Sequence, residues 1–227
     1  MKRYAIIVAG GKGERMNSDL PKQFIQLRGI PLLMHTIKAF YDYDSLIQLI
    51  IVLPANQISL WKELCNEHSF AIPHEIVQGG ETRFSSVKNG LVAIKEKCII
   101  AVHDGVRPLV NSQTLENCFS TAERYGTAVP VYAIVDSLRK TENNTNFAVE
   151  RNQYFTVQTP QVFQSSILKI AYNQTYEERF TDDATVVESL GIELNLVEGN
   201  RDNIKVTTPP DLKIAEVLLS ERESIIS

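Results

Sequence analysis

The stretch YAIIVAGGKGERM, from Tyr4 to Met16, carries the pattern that decides the fold. A short apolar run ends in two adjacent glycines, which is typical of a buried parallel strand that leads into a loop. The same strand character occurs in LIQLIIVLP, EIVQGG, CIIAVHD and TAVPVYAI. The period of an amphipathic helix occurs in PLLMHTIKAF, ISLWKELCNEH, residues 83–95 and LENCFSTAERYG, whose final glycine is placed as a cap. This alternation predicts an α/β fold with a mostly parallel twisted sheet and helices on both faces.

The alternation of apolar strands and amphipathic helices stops at residue 136. Residues 136–158 are polar and carry the turn-prone letters ENNTN between two segments that could pair as a hairpin. A polar hairpin has too little core to be stable alone, so it must lie on its own domain or on a second subunit. Beyond it we predict helices in SSILKIAYNQTYEE, DDATVVESLG and TPPDLKIAEVLLSE, and strands in IELNLVEG and NIKVT.

The composition is that of an ordinary globular protein, with 227 residues, 44% of them apolar and 22% charged. We expect a single domain over residues 1–227, with residues 136–158 as a β-arm within it. The net charge of −4 and the pI near 5.6 argue against a broad nucleic-acid-binding surface, although they are compatible with a local basic pocket.

The three cysteines, Cys65, Cys98 and Cys118, are far apart and form no C-x-x-C pair. They indicate neither a zinc site nor a disulfide framework, and they favour a reducing cytoplasm. After Lys2 and Arg3 only five apolar residues precede the glycines, too few for the core of a signal peptide. No apolar run approaches the roughly 18–20 residues that span a bilayer, so we expect a soluble cytoplasmic protein without a membrane partner.

The glycine loop after the first strand is compatible with three kinds of phosphate-binding site. A Walker A loop would need serine or threonine after Lys12, and here Gly13 follows. A dinucleotide-binding fingerprint would need a glycine at Met16 and an acidic residue for the ribose, and residues 20–41 contain none. A nicotinamide-dependent oxidoreductase is therefore disfavoured.

The third possibility is a nucleoside triphosphate site. The loop lies at the carboxyl edge of the predicted sheet, where ligands bind in open α/β folds, and glycines let backbone N–H groups approach phosphate oxygens. Arg15 and Lys22 add two positive charges, and Pro21 stiffens the chain just before Lys22. The alternative is a tight turn between strand and helix, with both cations solvated at the surface.

The segment QGGETRFSS follows another predicted strand and reaches the same edge. Gly79 and Gly80 permit close backbone approach, and the Ser86 hydroxyl is suited to hydrogen-bonding a base. The alternative is an ordinary helix N-terminus that Thr82 or Ser85 caps.

Charged residues also lie near the ends of later strands. Asp104 is placed to bind a metal or a ribose hydroxyl, or is simply a turn residue before Gly105. Arg107 is placed to hold a phosphate or to pair with that carboxylate, whereas His103 fits a packed structural role. Lys205 lies inside the apolar segment NIKVT, so it must reach a pocket with an anionic partner or extend to solvent.

These residues include several cations and one well-placed carboxylate, but no Ser-His-Asp set, paired acids or metal cage. Nucleotidyl transfer fits such a set, because it needs positioning and charge stabilisation more than covalent catalysis. An attacking phosphate is already anionic at neutral pH and needs no general base. Cations and Mg²⁺ would then offset the repulsion between two anions and neutralise the departing pyrophosphate.

Seven motifs occur in order along nearly the whole chain: AGGKGERM, PKQF, GGETRFSSVKNGL, VHDGVRP, RNQYFTVQTPQVF, TDDATVVE and VEGNRDNIKVTTPPDL. Each is weak alone, but together they resemble the 2-C-methyl-D-erythritol 4-phosphate cytidylyltransferases of the non-mevalonate isoprenoid pathway. The resemblance implies a Rossmann-like nucleotidyltransferase fold. It also implies an enzyme that uses CTP and Mg²⁺ to convert methylerythritol phosphate into 4-(cytidine 5'-diphospho)-2-C-methyl-D-erythritol and pyrophosphate.

The resemblance further implies roles for individual residues. The catalytic group, which stabilises the transition state and orients the attacking phosphate, would be Arg15, Lys22, Arg151 and Lys205. The CTP-binding group would be Ala9, Gly10, Gly11, Arg15, Lys22, Gly80, Ser86, Asp104, Gly105 and Lys205. The acceptor-binding group would be Asp104, Arg107, Ser137, Arg151, Thr159 and Thr181. Asp104 is the candidate metal ligand.

The polar arm is similar to one that this family exchanges between two subunits, which implies a homodimer in which Arg151 acts in the other subunit's active site. Gly10 stands where the family often has alanine, and Ser137 stands where threonine is common. These two changes preserve a backbone contact and a hydroxyl. Val106 stands where small residues are usual and could alter the acceptor pocket, so the acceptor is less well determined than the nucleotide.

Two alternatives remain open. Ribitol 5-phosphate cytidylyltransferase is a sister activity on the same fold, although GGETRFSSVKNGL and VEGNRDNIKVT favour the methylerythritol enzyme. A catalytically idle nucleotide-binding module is the other, and such a protein would be expected to lose the cations of the catalytic group, which this chain keeps.

Overall fold

The computed structural model describes residues 1–11, Met16 and residues 20–226, the last four of these through their backbone alone. The strands are β1 (Arg3–Val8), β2 (Gln26–Leu27), β3 (Ile30–Pro31), β4 (Gln48–Leu53), β5 (Glu75–Gln78), β6 (Ile99–Asp104), β7 (Thr127–Ala133), β8 (Arg139–Glu142), β9 (Thr145–Ala148), β10 (Phe155–Val157), β11 (Gln161–Gln164) and β12 (Leu196–Glu198). The helices are α1 (Leu32–Tyr43), α2 (Ile58–Glu67), α3 (Arg83–Ala93), α4 (Ser112–Tyr125), α5 (Ser165–Ala171), α6 (Asp183–Glu188) and α7 (Pro209–Ile226). Within the described ranges, none of these helices is long and apolar enough to cross a membrane.

Eight of the strands form one sheet in the order β10-β7-β11-β6-β1-β4-β5, with β12 also paired to β7. β1 is parallel to β4 and β6, β4 is parallel to β5, and β7 is parallel to β12. β11 and β10 are antiparallel to their neighbours. Parallel neighbours need crossover connections, which α1, α2 and α3 supply among β1, β4, β5 and β6, and which α5 and α6 supply between β7 and β12. The predicted α/β fold with a mostly parallel sheet is confirmed.

Helices cover both faces of the sheet because the central strands are apolar on both. Successive side chains of a strand point to opposite faces. In β1, Ile7 therefore joins a buried cluster with Phe40 of α1, while Ile6 joins a second buried cluster with Leu91 of α3. One apolar run of sequence contributes to both halves of the core.

A third buried cluster fixes the C-terminal helix beside the loop that follows β1. Met16, Leu27 and Ala215 of α7 are buried together there. Val206, in the segment before α7, belongs to the same cluster, and its N–H donates to the Val106 carbonyl oxygen at 2.9 Å. These contacts bring the segment that contains Lys205 to the end of β6.

Three sequence predictions of secondary structure differ from the structure. The strand predicted in NIKVT is wrong, because residues 203–207 pair with no described strand. The Asn203 amide instead donates to the Thr159 carbonyl oxygen at 2.8 Å, so a side chain helps to hold this irregular segment. The helix predicted in SSILKIAYNQTYEE ends at Ala171, and β11 forms where no element was predicted. Apolar periodicity is ambiguous for such short segments.

The hairpin predicted within residues 136–158 is confirmed, since β8 and β9 pair antiparallel. The turn between them contains Asn143 and Asn144, both with positive φ, which asparagine tolerates better than most residues. The same segment also contains β10, which pairs with β7 in the main sheet. The separate hairpin is therefore shorter than residues 136–158, and every residue of β8 and β9 is exposed.

Candidate functional site

The carboxyl ends of β1, β4, β5 and β6 meet at one cavity of about 270 Å³. This is the edge where open α/β sheets bind ligands, as the sequence predicted. The expected site residues that line the cavity are Ala9, Gly10, Gly11, Lys22, Gly80, Ser86, Asp104 and Lys205.

The loop after β1 enters the cavity with its backbone held on two sides. The Ala9 N–H donates to the Val52 carbonyl oxygen at 3.0 Å, which ties the loop to β4. The Ala9 carbonyl oxygen accepts from Gln23 Nε2 at 2.7 Å, which ties it to the segment that contains Lys22. Arg15 lies outside the described residues, so its role stays a prediction.

Lys22 begins a single turn of 3-10 helix, Lys22–Phe24, whose other two residues are buried. The Phe24 N–H donates to the Pro21 carbonyl oxygen at 2.8 Å, and the Phe24 ring stacks on Trp61 with 6.0 Å between centroids. Gln23 is fully buried beside it. The turn is thus anchored by its own neighbours, and Lys22 lines the cavity from a fixed backbone.

The start of α3 combines a cap with a second glycine loop. The Thr82 hydroxyl oxygen accepts from the Ser85 N–H at 3.0 Å, and the Ser85 hydroxyl oxygen accepts from the Thr82 N–H at 2.9 Å, which forms a capping box. Ser86 is separate from this cap. Its hydroxyl oxygen accepts from the Gly80 N–H at 3.1 Å at the cavity wall. Capping and cavity lining therefore use different hydroxyl groups of one segment.

Asp104, at the end of β6, is the centre of a charge cluster. Its Oδ2 lies 2.9 Å from Lys205 Nζ and 3.3 Å from Arg107 Nε, while its Oδ1 lies 3.7 Å from Arg83 Nε. Burial raises the pKa of this carboxyl, but the three cations together lower it by more than burial raises it. The pKa therefore lies well below its usual range. Asp104 is therefore ionised at neutral pH, and it is the anionic partner of Lys205.

The backbone of Asp104 is held by a hydrogen-bonded chain behind the cavity. The Asp104 N–H donates to the Thr159 hydroxyl oxygen at 3.1 Å. The Thr159 hydroxyl can in turn donate its own proton to His103 Nδ1, which lies 3.0 Å away. His103 Nε2 lies 3.1 Å from the Arg107 carbonyl oxygen, which can only accept. This pattern fits the neutral tautomer of His103 with its proton on Nε2, and the lowered pKa of the buried ring favours that neutral form. The buried, hydrogen-bonded ring confirms the packed structural role.

The pH dependence of stability tests this assignment. Burial lowers the pKa of His103 from 6.5 to about 4, so between these values the unfolded chain binds a proton that the folded chain does not. Stability is then lost as pH falls, by about 1.4 kcal/mol per pH unit from this residue. We expect His103→Gln to remove that part of the slope when urea unfolding is measured from pH 6.5 to 4. An unchanged slope would contradict a neutral His103.

The other expected site residues do not line this cavity within the described chain: Gly105, Arg107, Ser137, Arg151, Thr159 and Thr181. A Cβ on Gly105 would lie 2.9 Å from the Ala9 Cβ, so this glycine allows β1 and β6 to end close together. Ser137 and Arg151 are exposed near the hairpin, where Arg151 Nη1 donates to the Val135 carbonyl oxygen. Thr181 is exposed just before α6.

Two residues with direct contacts at the site were not predicted from the sequence. Gln23 holds Ala9, and Arg83 lines the cavity beside Asp104. Gln23 lies inside the quoted motif PKQF, and Arg83 lies inside GGETRFSS, so each was near a recognised signal. A glutamine in a loop has no pattern that indicates burial, and the partners of Arg83 are distant in sequence.

Among the residues that the structure describes, no group of three or more histidine, cysteine or acidic residues is placed to hold a metal ion. The carboxylates of Asp104 and Glu81 both line the described part of the cavity, and Asp104 is the candidate metal ligand. The described part of the cavity thus supplies cations and backbone groups, and it is arranged to bind an anionic molecule.

Comparison with known proteins shows what the whole chain is similar to. Residues 4–221 match the family model described as 2-C-methyl-D-erythritol 4-phosphate cytidylyltransferase. Relatives with that name are 51% identical in Bacteroides thetaiotaomicron and 52% identical in Phocaeicola vulgatus, each over 96% of this chain and 100% of the relative. The crystal structure of the enzyme of that name from Thermus thermophilus is 30% identical, with a TM-score of 0.75 over 97% of this chain and 100% of that one.

Proposed function

Because the chain belongs to the 2-C-methyl-D-erythritol 4-phosphate cytidylyltransferase family, we propose that its cavity binds CTP and transfers the cytidylyl group to 2-C-methyl-D-erythritol 4-phosphate. The products are 4-(cytidine 5'-diphospho)-2-C-methyl-D-erythritol and pyrophosphate, and the reaction belongs to isoprenoid biosynthesis. The observation that best supports this site is the convergence of Lys22, Lys205 and two glycine loops on one cavity.

The chemistry requires cations more than proton transfer. An oxygen of the acceptor phosphate attacks the α-phosphorus of CTP, the bond to the β-phosphate oxygen breaks, and pyrophosphate leaves with that electron pair. Lys22 and Arg15 would stabilise the triphosphate in the transition state, and Lys205 would orient the attacking phosphate. Lys205 already lies 2.9 Å from Asp104, so its ammonium is held at the cavity before substrate binds.

The two glycine loops would bind the rest of the nucleotide. Ala9, Gly10 and Gly11 would cradle the phosphates through backbone groups, since glycines allow close approach. Gly80 and Ser86 would read the cytosine, and their mutual hydrogen bond fixes the geometry of that contact. Asp104 and Gly105 would contribute near the ribose.

The acceptor would bind on the side of the cavity towards α6 and the arm. Arg151, Thr181 and Ser137 would contact it directly. Arg107 and Thr159 are both hydrogen-bonded to Asp104, which favours a shared role in presenting that carboxylate to the acceptor.

Mg²⁺ would accompany CTP. The donors fit, because Mg²⁺ at nucleotide sites is commonly held by one or two carboxylates together with substrate phosphates, and Asp104 is such a carboxylate in the cavity wall. When bound, the ion neutralises charge on the triphosphate. Lys205 and Arg107 already neutralise Asp104 Oδ2, so the ion would compete with them for that oxygen.

Pyrophosphate release with CTP and Mg²⁺ tests the function, with methylerythritol phosphate and ribitol 5-phosphate compared as acceptors. Release with the first alone supports the proposal. Release with the second alone would keep the fold and the nucleotide site but would assign the sister activity. Release with neither, despite CTP binding by calorimetry, would support the idle nucleotide-binding module.

Gly11 provides a test of the Lys22 position that leaves Lys22 itself in place. A Cβ on Gly11 would lie 2.8 Å from Lys22 Nζ, whereas a Cβ on Gly10 would meet nothing within 4 Å. We expect Gly11→Ala to weaken CTP binding about tenfold, because the ammonium must move from its place. The matched control Gly10→Ala should stay within about twofold. Equal Kd values in calorimetry for the two variants would contradict this role of Lys22.

A homodimer would complete the site through the arm. The large side chains of Phe147, Tyr154, Phe155 and Val157 are exposed near the hairpin and on β10. This apolar surface would be covered by a second subunit, which would receive Arg151 at its acceptor site. The three cysteines are free thiols, which fits a cytoplasmic location.

Arg151→Ala should raise the KM for the acceptor about tenfold or more and leave CTP affinity unchanged, because only the acceptor phosphate loses a contact. Arg139→Ala, on exposed β8, is the matched control and should leave both the KM for the acceptor and the CTP affinity unchanged. An equal loss of CTP affinity would contradict the acceptor role.

If the arm crosses between subunits, exchanged mixtures of Lys22→Ala and Arg151→Ala proteins should recover about a quarter of wild-type activity, measured at an acceptor concentration well below the wild-type KM, where each variant alone is nearly inactive. No recovery after proven exchange would place the whole site within one chain.

A further inference from the structure

Arg83, the first residue of α3, connects two acidic residues. Asp104 lines the cavity, whereas Asp183 is fully buried behind it. Arg83 Nη2 donates to Asp183 Oδ2 at 2.6 Å, and Arg83 Nε lies 3.7 Å from Asp104 Oδ1. The side chain is about one quarter exposed, and Arg83 is one of the residues that line the cavity. Arg83 thus faces the site while its guanidinium is held from behind.

Asp183, the first residue of α6, has a fully buried carboxylate. Its second oxygen, Oδ1, accepts from the Tyr172 hydroxyl at 2.5 Å. Burial and the neighbouring Asp183 raise the pKa of Tyr172 well above its usual value, so this hydroxyl keeps its proton and donates it. The Tyr172 ring is itself fixed by a stack on Phe84, with 4.7 Å between centroids.

The carboxylate of Asp183 is not needed to cap its own helix. Asp182 is the N-cap of α6, and its Oδ1 accepts from the Thr185 N–H at 2.9 Å. A buried ion pair is also a weak source of net stability, because removing two charges from water offsets most of their attraction. Neither helix capping nor net stability therefore explains why a charged Asp183 is buried here. Its ion pair with Arg83, which fixes the direction of the guanidinium, does explain it.

We propose, on the basis of the transfer reaction proposed above, that Asp183 and Tyr172 are positioning residues that hold Arg83 against Asp104 at the cavity wall. Arg83 then orients Asp104 Oδ1, while Lys205 and Arg107 hold Oδ2. The same ion pair joins the nucleotide-binding segment, residues 79–86, to the acceptor-binding segment that begins at Thr181.

Three variants test this proposal by steady-state kinetics with CTP and methylerythritol phosphate, together with CTP binding by calorimetry. Asp183→Asn should lower kcat about 10²-fold, since a small misplacement at a transfer site has an effect of that size. Tyr172→Phe, which removes one hydroxyl and keeps the ring stack, should lower kcat about tenfold. Arg83→Lys keeps the charge but cannot reach both acids, so it should resemble Asp183→Asn. In all three the Kd for CTP should stay within about threefold.

Tyr43→Phe is the matched control. The Tyr43 hydroxyl also donates to a carboxylate, that of Glu116 at 2.6 Å, and accepts from Arg3 at 3.0 Å. This cluster has the same chemistry and no part in the cavity wall. The control should lose stability without loss of kcat. The double variant Arg83→Lys with Asp183→Asn should be no slower than the slower single variant, because the two residues act as one unit.

Each outcome decides the proposal. Wild-type kcat in folded Tyr172→Phe and Arg83→Lys proteins would overturn it while leaving the proposed function intact. A rise in the Kd for CTP with unchanged kcat would also overturn it and would make Arg83 a nucleotide ligand. If the wild-type protein is inactive with both polyol phosphates, the proposed function and the positioning role are both contradicted. If Asp183→Asn does not fold, the single-hydroxyl change in Tyr172→Phe decides the question.

Discussion

Lys22→Ala should lower kcat by about 10²-fold or more, because it removes a fixed cation from the place where transition-state charge develops. The backbone of this turn is held by Gln23 and Phe24, so the variant should keep its fold. We expect its free energy of unfolding to change by less than about 0.5 kcal/mol. The same loss of kcat is expected for Arg15→Ala. The measurement is pyrophosphate release at saturating CTP and acceptor.

The control for Lys22→Ala is Lys38→Ala, which removes an exposed ammonium that pairs with Asp42 at 2.8 Å on α1. This variant should keep wild-type turnover. Near-normal turnover in both Lys22→Ala and Arg15→Ala would refute the proposed role of these cations in the transition state.

Asp104→Asn should combine a large loss of stability with a loss of activity. The substitution leaves the largely buried guanidinium of Arg107 without its carboxylate, and breaking a buried pair in this way costs about 3–5 kcal/mol. The depressed pKa of Asp104 means that its stabilising contribution is present above its usual pKa of 3.8 and is lost as pH falls through the lower folded value. Urea unfolding at neutral pH therefore measures the full effect.

The matched control is Asp42→Asn, which makes the same chemical change in the exposed pair with Lys38. Exposed pairs of this kind contribute about 0–1 kcal/mol. A similarly small change in the free energy of unfolding for Asp104→Asn would show that the Asp104 carboxylate does not stabilise the fold through its three cations. Activity should fall by about 10²-fold or more, since Lys205 loses the group that holds it at the cavity.

Local signals in the sequence predicted much of the fold and part of the site. The run before Ala9 predicted β1, and the proline before Lys22 predicted a stiff turn, because each depends on a few adjacent residues. The possible pairing of Arg107 with Asp104 also proved correct, and these residues are three positions apart. The Lys205 segment was predicted as a strand, but it is irregular, and its position depends on contacts with distant residues such as Thr159.

Contacts between distant parts of the chain could not be predicted in this way. Arg83 and Asp183 are 100 positions apart, and neither lies in a pattern that indicates the other. Gln23 and Ala9 are joined by a side-chain hydrogen bond that no periodicity signals. Such contacts follow from tertiary packing, which brings together segments whose sequences are locally compatible with several partners.

The stack of Phe24 on Trp61 has a practical consequence. Trp61 is the only tryptophan in the chain, and its indole N–H donates to His74 Nε2 at 3.0 Å. Indole emission depends on the groups that surround the ring, and here those groups include the turn that begins with Lys22. The unmodified enzyme therefore contains a natural fluorophore beside the turn that begins with Lys22. If nucleotide binds at this turn as proposed, we expect stopped-flow emission to follow its binding in real time, without a label and before any product forms.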